Sequence, residues 1–292
     1  MGSIVVGVDG SEGAAQALRW AAAEAACRGW FVQAVLAWGY LDQHHTIVAE
    51  RFDPAYTARD AERALDSYIK AALGAEGSEG VERHLIADLP ARALLESSRG
   101  ADLLVVGARG LGGFRGLLLG SVSQKCLHQS SVPVAVIRPD GTTTRNGQPQ
   151  RVLVGVDGSS AARRALAWAI DEARARSAVI EVLHAWQPPF VGGFPLTGET
   201  IDFTEFEHCA HELVDHALAA PDIGDLPCSV ERTVVCAGAA SALLEASERA
   251  DVVVVGARGI GSVQRMLLGS ISSQVALHAA RPVVVVPSPP DD

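Results

Sequence analysis

Basic residues are scarce in this chain of 292 residues. Its 24 lysines and arginines stand against 34 aspartates and glutamates, a net charge of −10. Nucleic-acid binding needs cations that displace counterions from phosphate, so the balance argues against a nucleic-acid partner. It also gives no attraction to an anionic membrane surface. No apolar run approaches the roughly 18 residues needed to span a bilayer. The opening residues, Met1-Gly2-Ser3-Ile4-Val5-Val6-Gly7, lack a basic start, a long apolar stretch and a cleavage site. The expectation is a soluble, cytoplasmic protein without a membrane partner. Cysteine is sparse as well. Cys27, Cys126, Cys209, Cys228 and Cys236 are odd in number and form no C-x-x-C pair. That argues against a disulfide frame or a zinc site and suits reduced, mostly buried thiols.

Apolar material is plentiful, at 48% hydrophobic residues and 20% charged, which supplies packed cores and rules out a disordered chain. At roughly 150 residues per domain, the length suggests about two domains.

The two domains are one sequence written twice. Ile4-Val5-Val6-Gly7-Val8-Asp9-Gly10-Ser11 returns as Val152-Leu153-Val154-Gly155-Val156-Asp157-Gly158-Ser159. Ala17-Leu18-Arg19-Trp20 returns as Ala165-Leu166-Ala167-Trp168, and Val105-Val106-Gly107-Ala108-Arg109-Gly110 as Val254-Val255-Gly256-Ala257-Arg258-Gly259. So long a period is a whole domain and not a solenoid repeat. The reading is a first domain over 1–139, a polar linker rich in turn formers over 140–150, and a second domain over 151–292.

Within a copy, strand and helix signals alternate. Strands are expected at Ile4–Val8, Phe31–Trp38, Val81–Ala87, Leu103–Gly107 and Pro133–Ile137. Helices are expected from Ser11 to about Cys27, Pro54–Leu73, Pro90–Ser98 and Ser121–Gln129. Apolar strands separated by helices indicate an α/β fold whose parallel sheet is covered on both faces. Right-handed crossovers make each domain doubly wound, with ligands expected at the carboxyl ends of the strands, where strand order reverses.

Immediately after the fourth strand comes Gly107-Ala108-Arg109-Gly110, nine residues, then Gly120-Ser121. The second copy repeats this as Gly256-Ala257-Arg258-Gly259, nine residues, then Gly269-Ser270. Glycine lets backbone approach a ligand closely. Successive free N–H groups form an anion-binding nest, and the next helix begins at the serine, where its amides and dipole favour phosphate. No lysine precedes the serine, so this is not the P-loop form; nor does it match G-x-G-x-x-G. A plain strand-to-helix connection is the alternative for a single copy. Asp9 and Asp157 also suit an ordinary turn before glycine, and Arg109 and Arg258 suit either phosphate charge or a solvated loop.

With the V-G-V-D-G-S start and the G-x-x-G-(nine)-G-S element in both halves, the chain resembles a tandem universal stress protein of the ATP-binding subclass. The resemblance implies a five-stranded parallel sheet of order 3-2-1-4-5 in each domain, and ATP, with Mg, along its carboxyl edge. In the first copy it implies that Gly107, Gly110, Gly120 and Ser121 surround ribose and phosphates, with Gly7, Arg109, Gly112 and Val122 close by. Asp9 is to approach ribose, phosphates or Mg, and Ala37 to offer backbone to the adenine edge. In the second copy the same roles fall to Gly256, Gly259, Gly269 and Ser270, with Gly155, Arg258, Gly261 and Ile271, and to Asp157 and Ala185. It also implies that the two last strands pair in a pseudo-dimer, and that the whole chain forms a homodimer.

Other features carry less. His208, His211 and Asp215 share a helical face, but the first copy has no counterpart, so a solvated face is expected and no metal site. Trp20, Trp38, Trp168 and Trp186 recur in register and read as core. The functional expectation is a stress-response regulator whose nucleotide changes its interaction with an unidentified protein partner. A slow ATPase or phosphotransferase and an empty scaffold are the rivals.

Overall fold

The computed structural model describes residues 1–38, 57–111, 118–138, 150–188, 203–220, 229–260 and 268–288. Two compact units result: Met1–Thr144 with Ala276–Pro287, and Arg145–Val275 with Ser288–Asp292.

In chain order the first copy gives β1 (Ser3–Gly7), α1 (Glu12–Arg28), β2 (Phe31–Ala37), α2 (Ala58–Gly77), β3 (Val81–Ile86), α3 (Pro90–Ser97), β4 (Leu103–Gly107), α4 (Ser121–Gln129) and β5 (Val134–Ile137). Local chemistry sets the boundaries. The Ser11 hydroxyl accepts the Ala14 N–H at 3.1 Å, and Gly29, at φ 65°, closes α1 in the left-handed conformation that glycine adopts freely. α2 begins later than the expected Pro54, which lies outside the described residues. Its N-cap is Thr57, in a capping box: Thr57 N–H donates to the Asp60 carboxylate while the Asp60 N–H donates to the Thr57 hydroxyl. Gly74, at φ 75°, kinks the far end of this helix.

The strands of the first unit lie in the order β3-β2-β1-β4-β5, all parallel. This is the order 3-2-1-4-5. From β1 the chain steps one way to β2 and β3, and from β4 the other way to β5. Crossovers of one hand therefore place the packed pair α1 and α2 on one face and the pair α3 and α4 on the other. Both faces being covered, the central strands are apolar throughout: Ile4, Val5 and Val6 of β1 and Leu103, Leu104 and Val105 of β4 are fully buried. β3 is the open edge, and it exposes Glu82 and Arg83 there, which discourages pairing with another chain.

The second copy gives β6 (Arg151–Gly155), α5 (Ser160–Arg176), β7 (Val179–Trp186), α6 (Thr204–Leu218), β8 (Val230–Cys236), α7 (Ala239–Ser247), β9 (Val252–Gly256), α8 (Ser270–His278) and β10 (Val283–Val286). In the second unit β9, β6, β7 and β8 are neighbours in that order and parallel, repeating the switch between first and fourth strands. β10 is counted with the first unit. It pairs antiparallel with β5, with Val283 opposite Val136 and Val285 opposite Val134.

Two expectations change. Of the four in-register tryptophans only Trp20 is buried; Trp38, Trp168 and Trp186 are half-buried. The reason at Trp186 is its place at the end of β7, where it lies against Phe203 and Phe206 instead of in the sheet interior. Among the described cysteines, Cys126 alone is buried, while Cys27, Cys209 and Cys236 are exposed. No described helix is long and apolar enough to cross a membrane.

Candidate functional site

The switch between β1 and β4 gathers the repeated motifs at one carboxyl edge. β1 ends at Gly7, and after Val8 the chain turns through Asp9 and Gly10 into α1. Gly10 has φ 84° and Gly158 has φ 86°, so both motif glycines are required by the turn itself. The Asp9 carboxylate then works in two directions. One oxygen accepts the Ser11 N–H at 3.0 Å and its hydroxyl at 2.6 Å. The other accepts the Leu111 N–H at 3.1 Å, from the loop after β4. Asp157 repeats this with the N–H groups of Ser159 at 3.0 Å and Ile260 at 2.9 Å. The serines differ: the Ser159 hydroxyl reaches the Arg258 carbonyl at 3.3 Å instead of the aspartate.

The glycine loop is fastened at its base as well. The Gly120 N–H donates to the Ala108 carbonyl at 2.8 Å, and Gly269 to Ala257 at 2.7 Å. The Ser123 hydroxyl donates to the Gly107 carbonyl at 2.7 Å, and Ser272 to Gly256 at 2.6 Å. These two buried serines tie the start of the following helix to the end of the strand. They were missed by sequence reasoning, although the repeat held their signal: each copy reads G-S-x-S.

Each glycine of the motif has its own reason. A Cβ on Gly107 would lie 2.6 Å from the Gly13 carbonyl carbon, and one on Gly256 2.7 Å from that of Ala161. Here the space that glycine frees is taken by the first turn of α1 or α5. A Cβ on Gly110 would meet an Asp9 carboxylate oxygen at 2.2 Å, and one on Gly259 an Asp157 oxygen at 2.4 Å. These glycines admit the aspartate. At Gly7 and Gly155 the nearest atoms belong to Leu94 and Leu243 side chains. Gly120 is different: nothing lies nearer than 3.6 Å to its would-be Cβ, and its φ of −76° is open to any residue. No contact with the rest of the described chain demands glycine there.

Gly120 is the N-cap of α4, and no side chain caps that end. The amides of Ser121 and Val122 therefore begin a helix without a side-chain acceptor, and Ser121 is exposed. Ser270 and Ile271 open α8 in the same positions and are exposed. Arg109 is exposed at the loop start. Beside it stands Arg138, which the sequence reading did not pick out; its signal is its place directly after β5. Burial, and then the charge of Arg109, hold the Arg138 guanidinium below its ordinary value. The Arg138 guanidinium donates to the Ala276 carbonyl at 2.9 Å and to the Leu277 carbonyl, at the end of α8. In the second unit Arg258 donates to the Ser288 hydroxyl at 3.0 Å. Ala37 ends β2 and Ala185 stands one residue before the end of β7; both are half-buried, paired with Ile86 and Val235. Gly112, Gly261 and linker residues 140–149 lie outside the described residues.

The histidine-bearing face of α6 is exposed at His208, His211 and Asp215, the solvated face expected. His208 pairs with Glu212 at 3.3 Å, and Asp215 receives Arg232 at 3.0 Å. Among the described residues no group of His, Cys, Asp and Glu is placed to hold a metal.

Comparison with known proteins agrees with this fold. A model of the Universal stress protein family matches residues 1–138 and again 149–287. A universal stress protein of Mycolicibacterium smegmatis is 35% identical over 295 residues, covering 97% of this chain and 96% of that one. One from Mycobacterium tuberculosis has the same identity and coverage. The crystal structure of a universal stress protein from Archaeoglobus fulgidus, 22% identical, superposes with a TM-score of 0.68 over 98% of both chains, which speaks for the fold alone. The chain belongs to the universal stress protein family, with two family domains in tandem.

Proposed function

We propose that this is an ATP-binding regulatory protein, one nucleotide per family domain. The observation that carries the reading is the uncapped start of α4 behind a glycine that the described chain does not itself need. A phosphate seated there meets the first amides of the helix and its dipole, and a Cβ on Gly120 would stand in its way. Gly120, Ser121 and Val122 would hold phosphate oxygens, with exposed Arg109 balancing charge. Gly269, Ser270 and Ile271 are their counterparts. Asp9 and Asp157 act from behind the loop by holding it, and Mg enters with the phosphates.

Turnover is not what this arrangement favours. Hydrolysis needs a group that positions water. The repeated carboxylates, Asp9 and Asp157, are each engaged by two backbone N–H groups. Phosphate release is expected far below about 1 s⁻¹, the lower end of common enzyme rates. The output is a change in partner binding or in association of whole chains in the cytoplasm, read as a mass shift by light scattering with and without Mg-ATP.

The deciding experiment is mass spectrometry of nucleotide released from denatured, purified protein, before and after soaking in Mg-ATP. Two adenine nucleotides per chain are expected, and about one from a Gly120→Ala chain that melts like the wild type. No uptake by the wild type leaves an empty scaffold.

A further inference from the structure

The second unit holds a hollow of about 390 Å³ between the start of α5 and the length of α6. Its floor is apolar, formed by Val156, Ala162, Leu213 and Ala217, while Arg163 and His216 stand at its rim. Gly256, Gly259 and Gly269 do not line it, but Gly158 and Ser159, in the turn after Asp157, do, so the hollow adjoins the candidate nucleotide site from the α5 and α6 side. Its volume is that of a site for a small organic molecule.

The first unit fills the matching space. The ion pairs Arg83–Asp66 and Arg232–Asp215 fix how α2 and α6 correspond, since both partners repeat 149 positions on. By that register Tyr68 answers to Ala217. The Tyr68 ring lies against the β1 turn: a Cβ on Gly10 would be 2.5 Å from its Cζ. At Gly158 the nearest atoms belong to Ile260 and Leu213, at 3.5 and 3.6 Å. A phenol ring in one copy is a methyl group in the other; Leu213, where the first copy has Ala64, takes the place against the turn, and the hollow opens beside the methyl.

The rim differs as well. Arg163 stands where the first copy has Ala15. It is exposed, and among the described residues it has no ion-pair partner; Glu212, which also lines the hollow, lies 3.3 Å from His208 on its own helix. An unpaired cation at the mouth of an apolar hollow matches a ligand with an apolar body and a negative group.

We propose that this hollow is a second ligand site, peculiar to the second unit, for a small molecule with a compact apolar or aromatic body and one anionic group that meets Arg163. The proposal does not rest on the nucleotide reading, although the two sites share the turn that follows Asp157. The test uses 1-anilinonaphthalene-8-sulfonate as probe, titrated by fluorescence against the full chain. One saturable site is expected. Ala217→Tyr, which restores the ring of the first copy, should weaken binding at least tenfold, and Arg163→Ala several-fold. Neutral N-phenyl-1-naphthylamine should bind the wild type more weakly than the sulfonate.

Unchanged affinity in an Ala217→Tyr chain that melts like the wild type overturns the proposal. Should that variant not fold, Arg163→Ala, an exposed position, decides in its place, and unchanged affinity there overturns it. Displacement of the probe by Mg-ATP also overturns it, by placing the probe in the nucleotide site. A chain that takes no ATP leaves the probe titration readable on its own.

Discussion

Asp9 and Leu111 are joined by a 3.1 Å hydrogen bond across 102 positions of sequence, and the second copy repeats the link between Asp157 and Ile260. An aspartate that sequence reasoning aimed at ribose or Mg is thus engaged, in this structure, with the loop that would cradle phosphate. A charge-assisted bond of this kind contributes more than a neutral one, about 1.5–3 kcal/mol.

The first prediction follows from that bond. In Asp9→Asn the acceptor loses its charge, and the Leu111 amide should exchange with solvent about tenfold faster or more, one power of ten corresponding to about 1.4 kcal/mol. Ile260 should keep its protection. Hydrogen exchange read by NMR checks both amides in one experiment. Equal protection at Leu111 would mean that the loop is held from elsewhere.

The second prediction separates two glycines of one motif. Gly107→Ala drives a methyl into the backbone at the start of α1 and should cost about 1–3 kcal/mol, the range for overpacking. At about 2–4 °C per kcal/mol for a unit of this size, its melting temperature should fall by several degrees. Gly120→Ala meets ordinary contacts and should melt within about 1 kcal/mol of the wild type. Differential scanning calorimetry on the pair tests the contrast. Equal melting of the two variants would sink it.

The third prediction concerns thiol reactivity. Burial pushes the Cys126 thiol up to about 12, and the nucleophile is the thiolate. At pH 8.5 its thiolate fraction is negligible, and the side chain is enclosed. Iodoacetamide should label Cys27, Cys209 and Cys236 in the native protein and leave Cys126 unlabelled until denaturant is added. Peptide mass spectrometry reads this directly.

The fourth prediction concerns Glu181, buried in β7. Its carboxylate accepts from Arg151 at 3.2 Å, from Arg249 and from Thr233 at 2.9 Å. Glu181→Ala opens a cavity in β7 and takes an acceptor from Thr233 and from half-exposed Arg249, while Arg151 keeps its pair with Glu231, and it should destabilise the protein by on the order of 3 kcal/mol. Glu181→Gln, which copies Gln33 at the matching position of β2, should cost less, because it keeps an acceptor for Thr233. Urea unfolding of both variants measures the difference; equal losses would show that packing, not hydrogen bonding, is the larger effect.

Much of this was legible beforehand because it repeats. Two copies of V-G-V-D-G-S fixed the strand-to-helix turn and its cap, and the apolar strands declared a sheet covered on both sides. The purpose of each glycine was not legible. A spacing pattern treats Gly107, Gly110 and Gly120 alike, yet the first makes room for a helix, the second for a carboxylate, and the third for nothing in the described chain. Those differences depend on atoms about a hundred residues away in sequence. Arg138 could be noticed only by its place directly after β5; the folded chain is what sets it beside Arg109. Cysteine and tryptophan were misjudged from residue type, which states an average preference and says nothing about which end of a strand a side chain occupies.

The antiparallel pairing of β10 with β5 makes the order of synthesis and the order of structure disagree. The first unit is encoded early but is completed by Val283–Val286. While the intervening residues are still being made, β5 waits as an open apolar edge, because its neighbour has not yet left the ribosome. For a nascent chain of this design, the N-terminal unit is finished last.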